Sequence, residues 1–172
     1  MDERERERWR MGVGVVFQNA ALLGSLSVFE NVALPLRMHR KLDDSELKVL
    51  VEDLLSQVAL DGAGGKMPQE LSGGMRKRAG LARALAMNPK AILLDEPTST
   101  LDPELEQEVV QVIKVLANEG RTMILVTHDM NLAYDISDHV VFLHEGRILE
   151  EGSPQTMFET PKSDRLRQFL KS

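Results

Sequence analysis

The chain has 172 residues, and its 21 lysines and arginines against 27 aspartates and glutamates give a formal net charge of −6. This length is typical of one domain that buries a sizeable core. The lack of cysteine excludes a disulfide framework, a thiolate metal site and a cysteine nucleophile. No apolar run approaches the roughly 18 residues that span a bilayer, and the charged first ten residues do not resemble a signal peptide. We therefore expect a cytosolic protein, and the negative charge argues against nucleic acid as its main partner.

Short apolar segments predict five strands, over residues 13–17, 91–94, 123–126, 140–143 and 147–149. The first three are bounded by polar residues, which is typical of parallel strands that are buried on both faces. The last two are separated by a glycine-containing turn, which predicts a β-hairpin.

Amphipathic spacing and capping signals predict five helices, over residues 45–59, 74–87, 103–118, 130–136 and 162–170. The first ten residues predict a solvated helical turn or a frayed end. Because strands alternate with helices, the predicted fold class is α/β with a mostly parallel sheet.

Polar side chains follow the three predicted parallel strands: Gln18, the pair Asp95 and Glu96, and His128. Ligands of open α/β sheets bind beyond the carboxyl ends of the strands. Residues 91–96, Ala-Ile-Leu-Leu-Asp-Glu, form a Walker B pattern, in which the aspartate holds Mg²⁺ on nucleotide phosphates. The next residue, Glu96, is placed to orient or deprotonate the attacking water. For each strand taken alone, the alternative of an ordinary polar strand end stays open.

Residues 71–75, Leu-Ser-Gly-Gly-Met, begin the second predicted helix. The two glycines leave backbone N–H groups uncovered at a helix start, and Ser72 adds a hydroxyl, so this segment suits an anionic phosphate. The alternative is an ordinary helix start in which Ser72 is the cap. The basic run at residues 76–78 is interpreted as a solvated helix face, with contact to a phosphate or partner as the alternative. The sequence offers no reason for Gly80 within this helix.

In their order along the chain, these motifs resemble the nucleotide-binding subunit of an ABC transporter. Gln18 resembles the Q-loop, residues 71–75 the signature, Asp95–Glu96 the Walker B pair, residues 99–102 the D-loop, and His128 the switch histidine. The similarity runs from about Met11 to the end of the chain. It implies a P-loop NTPase-like α/β fold with a mostly parallel sheet and a helical signature subdomain near residues 30–88.

The resemblance also implies ATP and Mg²⁺ as cofactors and ATP hydrolysis as the reaction. Asp95 and Gln18 would contact Mg²⁺, Glu96 would act as the base, and His128 would contact the γ-phosphate. Hydrolysis in this family takes place at two shared sites in a head-to-tail dimer. The remaining nucleotide-binding residues implied by the motifs are Ser72, Gly73, Gly74 and Asp102, of which the first three would serve the nucleotide of the opposite subunit.

The implied partners are a second copy or a like ATPase subunit and transmembrane permease subunits. Residues 29–37, together with Gln18, would face the permease. The implied location is cytoplasmic and peripheral, on the inner face of the plasma membrane. Neither nucleic acid nor direct contact with the transported substrate is expected.

Three segments, residues 28–37, 72–78 and 164–170, are most similar to the Mla-type ATPase of organic solvent tolerance. They predict a role in phospholipid trafficking. Polar amino-acid importers share parts of this pattern and are the main alternative. Further alternatives are a truncated, non-catalytic fragment and an ABC-type ATPase without a transporter.

The phosphate-binding pattern Gly-x-x-x-x-Gly-Lys-Ser/Thr does not occur in the 172 residues. The one Gly-Lys pair, Gly65-Lys66, is followed by Met67. We therefore expect a partial nucleotide-binding domain over residues 1–172, incomplete at its N-terminus. ATP hydrolysis by this chain alone is in doubt on that ground.

Overall fold

The computed structural model describes residues 2–171. The chain divides into two compact units, with the boundary between Val126 and Thr127. The first unit contains a parallel sheet and helices, and the second contains a hairpin and short helices. The alternation of strands and helices confirms the predicted α/β class.

The sheet of the first unit has three parallel strands in the order β1 (Val13–Val16), β2 (Ala91–Asp95) and β3 (Met123–Val126). Its register places Val15 opposite Leu93 and Leu93 opposite Ile124, so these three side chains form a row across one face. All three strands were predicted within one residue.

Only one face of this sheet is buried among the described residues. Val16, Ile92 and Leu94 are at most 1% exposed, whereas Val15, Leu93, Ile124 and Val126 are 37–56% exposed. The prediction of strands buried on both faces is therefore wrong for residues 2–171. Apolar spacing shows that a strand face is suited to burial, but it does not show what covers that face.

Within the described part of the chain, the first unit contains five α-helices: α1 (Glu3–Met11), α2 (Val28–His39), α3 (Asp44–Gln57), α4 (Gly73–Leu85) and α5 (Pro103–Asn118). A short 3₁₀ turn, Pro68–Glu70, precedes α4. Helices α3 and α4 lie within two residues of their predicted bounds, and α5 matches exactly. Glu3–Met11 form a helix of 9 residues, about two and a half turns, rather than a single turn or a frayed end.

Helix α2 was not predicted, because Pro35 lies inside it and proline ordinarily interrupts a helix. Reciprocal capping starts it: Ser27 Oγ accepts from the Glu30 N–H, and the Glu30 carboxylate accepts from the Ser27 N–H. The buried Asn31 amide donates to the carbonyls of Leu23, Leu26 and Ser27 and accepts from the Leu23 N–H. These bonds fix the loop that leads from β1 into α2.

The second unit contains α6 (Met130–Ile136), the antiparallel hairpin β4 (Val140–His144) and β5 (Arg147–Gly152), α7 (Pro154–Glu159) and α8 (Asp164–Phe169). Helix α6 and the hairpin confirm the predictions, whereas α7 was missed. The Glu150 carboxylate accepts from the N–H groups of Lys162 and Ser163, which anchors the start of α8 to the hairpin. Among the described residues, every helix is too short or too polar to cross a membrane.

Candidate functional site

The Walker B pair lies where β2 ends. Asp95 is the last residue of β2, and its side chain is exposed. Glu96 follows with a left-handed backbone, φ +46°, and its N–H donates to the Val126 carbonyl at 2.9 Å. The Glu96 carbonyl accepts from the Ser99 N–H at 3.2 Å and from Ser99 Oγ at 2.9 Å. Asp95 and Glu96 are thus presented side by side at the carboxyl end of the sheet, as the sequence predicted.

Gln18 lies in the turn that follows β1, at the same end of the sheet, and its side chain is exposed. Ala20 and Ala21 of this turn have left-handed backbones, with φ of 61° and 46°. Alanine rarely adopts this conformation, so the surrounding contacts have to hold it. Those contacts come from α4.

Lys77 of α4 joins the Gln18 turn to the Walker B turn. Its Nζ donates to the Gln18 carbonyl and, at 3.1 Å, to the Glu96 carbonyl. Lys77 is only 4% exposed, and this burial lowers the pKa of its ammonium group, against an opposing effect from the charges of Glu96 and Asp95. Sequence analysis did not identify Lys77 as a site residue.

The interpretation of residues 76–78 as a solvated face is wrong for two of the three. Lys77 and Arg78 are buried, and Arg76 alone is exposed. Arg78 donates to the carbonyls of Val58 and Ala59 and pairs with Glu108 of α5 at 2.9 Å. Burial of a cation requires such hydrogen-bonded partners, and sequence spacing gave no sign of the carbonyls that supply them.

Gly80 and Arg83 of α4 also hold the Gln18 turn. A Cβ at Gly80 would lie 3.1 Å from the Ala20 Cβ and 3.3 Å from the Ala20 carbonyl oxygen. Arg83 donates to the carbonyls of Ala20 at 2.8 Å and Ala21 at 2.7 Å. This close approach explains the glycine for which the sequence offered no reason.

The signature segment forms the start of α4. Ser72 caps the helix, since its Oγ accepts from the Met75 N–H at 3.2 Å. A Cβ at Gly73 would lie 2.7 Å from Leu101 Cδ2, and a Cβ at Gly74 would lie 3.3 Å from the Leu105 carbonyl oxygen. The glycines therefore let α4 begin against residues 101–105. Ser72 is the N-cap of this helix, and its role toward a phosphate stays a prediction.

The other two predicted site residues are Asp102 and His128. Asp102 is exposed and precedes α5, and its side chain makes no capping hydrogen bond. His128 is exposed and belongs to the second unit, immediately before Asp129, which caps α6. The first unit brings together Gln18, Asp95 and Glu96 through Lys77, while the roles of Asp102 and His128 remain predictions.

The chemistry of this strand end suits a metal ion that arrives with phosphates. No group of three or more His, Cys, Asp or Glu side chains that could hold a metal occurs among the described residues. Mg²⁺ commonly uses one or two carboxylates and takes its other ligands from water and phosphate oxygens. The exposed Asp95 carboxylate fits that mode.

The ABC transporter family model matches residues 1–99. The chain is 47% identical over 173 aligned residues to the nopaline permease ATP-binding protein P of Agrobacterium fabrum, covering 100% of this chain. It is 49% identical to the histidine transport ATP-binding protein HisP of Pseudomonas aeruginosa, covering 98% of this chain. Identity to the histidine/lysine/arginine/ornithine transport ATP-binding protein HisP of Escherichia coli is 44% over 99% of this chain. The chain spans about two thirds of the length of these relatives, 66–67%.

Solved structures agree with the fold. A dimeric bacterial ABC transporter cassette superposes with a TM-score of 0.79 at 33% identity, covering 90% of this chain and 68% of that one. CbiO1 of Clostridium perfringens, part of an ABC transporter complex, superposes with a TM-score of 0.82 at 30% identity, covering 92% and 64%. The P-loop NTPase fold of ABC cassettes is thus confirmed for this chain.

The prediction of an Mla-type ATPase is not supported. The relatives at 44–49% identity are named for histidine, basic amino-acid and nopaline transport rather than for lipid trafficking. The segments that suggested the Mla type, residues 28–37, 72–78 and 164–170, therefore do not distinguish the two kinds of ATPase. These alignments cover 98–100% of the chain, and the family model covers residues 1–99, so the chain belongs to the ABC transporter family of ATP-binding subunits.

Proposed function

We propose that this chain acts as the ATP-binding subunit of an importer for polar amino acids, histidine and the basic amino acids foremost. The observation that carries the proposal is the 44–49% identity, over 98–100% of the chain, to subunits named for such transport. Identity at this level extends well beyond the motifs that all ABC ATPases share. It favours the amino-acid alternative over phospholipid trafficking.

The site residues divide the chemistry among them. Asp95 would hold Mg²⁺, which when bound neutralises charge on the β- and γ-phosphates. Glu96, one residue further, would accept a proton from the attacking water. The exposed Gln18 side chain would orient that water and contact the metal, and His128 would hold the γ-phosphate. The tight turn at Glu96 supports this division, because it fixes the backbone from which the base extends.

The start of α4 would serve a second ATPase subunit. Gly73 and Gly74 have no side chains, and their N–H groups lie at the positive end of a helix, which suits a phosphate. Asp102, exposed on the D-loop-like segment that precedes α5, would face the same interface. Shared sites of this kind require a dimer of ATPase subunits.

The permease would dock on a groove in the first unit. This groove, of about 830 Å³, lies between α2, α3 and the loop at residues 61–65, and Phe29 and Arg37 line it. Its lining carries both charges, two cationic and three anionic side chains: Arg37, Lys48, Asp44, Glu52 and Asp61. Permease binding here would place the protein peripherally on the inner face of the plasma membrane.

The test is isolation of the complex that the tagged protein forms in its own cells, followed by reconstitution into vesicles. ATP-dependent uptake of labelled histidine or arginine is expected. Transfer of labelled phospholipid without amino-acid uptake would contradict the proposal.

A further inference from the structure

We propose that Lys77 is a positioning residue that locks the Gln18 turn and the Walker B turn to the signature helix, so that the three move as one body. The inference rests on the proposed function for its catalytic consequence. The structural claim, that Lys77 couples the two turns, rests on contacts within the first unit alone.

The Lys77 ammonium bridges two separate turns. One nitrogen donates to the carbonyls of Gln18 and Glu96, which follow different strands and lie 78 positions apart in sequence. Both carbonyls lie beyond Val16 and Leu94, the last residues that pair β1 with β2, although the Glu96 N–H still bonds to Val126 of β3. Lys77 thus replaces the missing strand-to-strand bond with a bridge from α4.

Each of the two turns contains strained backbone that needs a restraint. The Gln18 turn contains two left-handed alanines, and the Walker B turn contains a left-handed Glu96. Non-glycine residues in this region are strained and persist only when neighbours fix them. Lys77 contacts both turns.

Lys77 differs from Gly80 and Arg83, its neighbours on α4, in the turns that it contacts. Arg83 donates to the Ala20 and Ala21 carbonyls, and a Cβ at Gly80 would meet Ala20. These contacts restrain the Gln18 turn. Lys77 bonds in addition to the Glu96 carbonyl, so its loss should affect both turns.

The catalytic consequence follows from the atoms involved. Lys77 bonds to the backbone carbonyls of Gln18 and Glu96, so it would act by fixing the direction in which the side chains of these two residues project. Loss of the bridge should lower turnover more than nucleotide affinity, because misdirected catalytic groups impair the reaction step.

Amide hydrogen exchange on the 172-residue chain tests whether Lys77 couples the two turns. The reporters are the Ala20 N–H, bonded to the Phe17 carbonyl, the Ser99 N–H, bonded to the Glu96 carbonyl, and the strand Ile92 N–H. In Lys77→Met the Ala20 and Ser99 amides should exchange at least about tenfold faster while Ile92 is unchanged. In Arg83→Met only the Ala20 amide should exchange faster. In Lys77→Arg, which keeps a cationic donor, the exchange rates of the Ala20 and Ser99 amides should stay within about threefold of those in the parent chain.

The matched control is Lys41→Met, an exposed lysine between α2 and α3, which should leave all three amides unchanged. Equal acceleration of Ile92 in Lys77→Met would show a global stabilising role and overturn the proposal. A response of only one turn would overturn it as well.

The reconstituted transporter tests the catalytic part. Lys77→Met should lower kcat for ATP hydrolysis about tenfold and leave KM within about twofold, with Lys41→Met unchanged in both. A normal kcat, or a loss confined to KM, would overturn the positioning role. If the parent complex does not hydrolyse ATP, the proposed function fails, and the amide exchange still decides whether Lys77 couples the turns.

Discussion

Close backbone approach decides which single residues this fold tolerates. Gly14 of β1 faces α4, and a Cβ there would lie 2.6 Å from the Ala84 carbonyl oxygen and 3.1 Å from the Pro89 ring. No real Cβ lies that close to a backbone oxygen, so any larger residue must push the helix from the strand. The glycine is required by packing, since its φ is not in the left-handed range.

Gly14→Ala should therefore destabilise the chain by about 1–3 kcal/mol, the range of overpacking in a dense core. Gly24→Ala is the matched control, because nothing lies within 4 Å of a Cβ at that position. Denaturant unfolding of the two variants measures the difference. A Gly14→Ala variant as stable as Gly24→Ala would show that α4 can shift away from β1 at no cost.

Glu96 is the residue on which the proposed reaction depends. In the reconstituted transporter, Glu96→Gln should lower ATP turnover by about 10²–10⁴-fold, because the amide keeps the shape of the side chain but cannot accept the proton. Nucleotide binding should persist. Phosphate release and nucleotide retention are the two measurements, with the exposed Glu104→Gln of α5 as control. Near-normal phosphate release from Glu96→Gln would show that another group is the base.

At the scale of single elements, strand β2 has one buried face and one exposed face. Leu94 is 1% exposed and Leu93 is 37% exposed, although the two are adjacent and chemically identical. Leu94→Ala should cost about 2–5 kcal/mol, because it leaves a cavity beneath the helices. Leu93→Ala should cost less than half as much. Equal losses in denaturant unfolding would mean that the Leu93 face is covered in solution.

Helix α3 depends on its N-cap, and that dependence is sensitive to pH. Hydrogen bonds from the Glu46 N–H, then from the Ser45 hydroxyl, hold the pKa of Asp43 below its usual range. A lowered carboxyl pKa stabilises the fold above the ordinary aspartate pKa, and this contribution is lost as pH falls through the lowered value.

Asp43→Ala should therefore have a lower Tm than the parent chain at neutral pH, and the gap should narrow in acid. Asp43→Asn keeps an oxygen acceptor but does not titrate, so the difference in Tm between Asp43→Asn and Asp43→Ala should stay constant with pH. Thermal unfolding between neutral pH and pH about 2 measures both gaps. A gap between the parent and Asp43→Ala that does not change with pH would contradict the assignment to the carboxylate.

Elements with strong local signals were the predictable ones. Helix α5 has Pro103 at its first position and a clear apolar face, and its predicted bounds are exact. Helix α2 was missed because Pro35 contradicts local propensity, and its capping and buried Asn31 bonds override that cost. Asp95, Glu96 and Gln18 were found because they follow strands. Lys77 was missed because its partners are backbone carbonyls from distant segments, which leave no trace in side-chain patterns.

At the scale of the whole chain, the exposed sheet face is the feature that governs behaviour in solution. Val15, Leu93 and Ile124 form one apolar row, and Phe17 and Val126, which are 51% and 56% exposed, extend it toward the site. A contiguous apolar surface of this kind on a sheet favours association with another copy of itself. Isolated exposed residues such as Val49, 68% exposed on α3, carry no such tendency.

We therefore expect the 172-residue chain to self-associate at micromolar concentration. Ile124→Thr combined with Val126→Thr should shift it toward monomer, because threonine keeps the strand propensity and removes apolar surface. Val49→Thr should leave the association unchanged. Size-exclusion chromatography with light scattering over a concentration series is the measurement. A monodisperse parent chain that unfolds cooperatively would show that this face needs no cover, and that one packed face is enough to close the sheet.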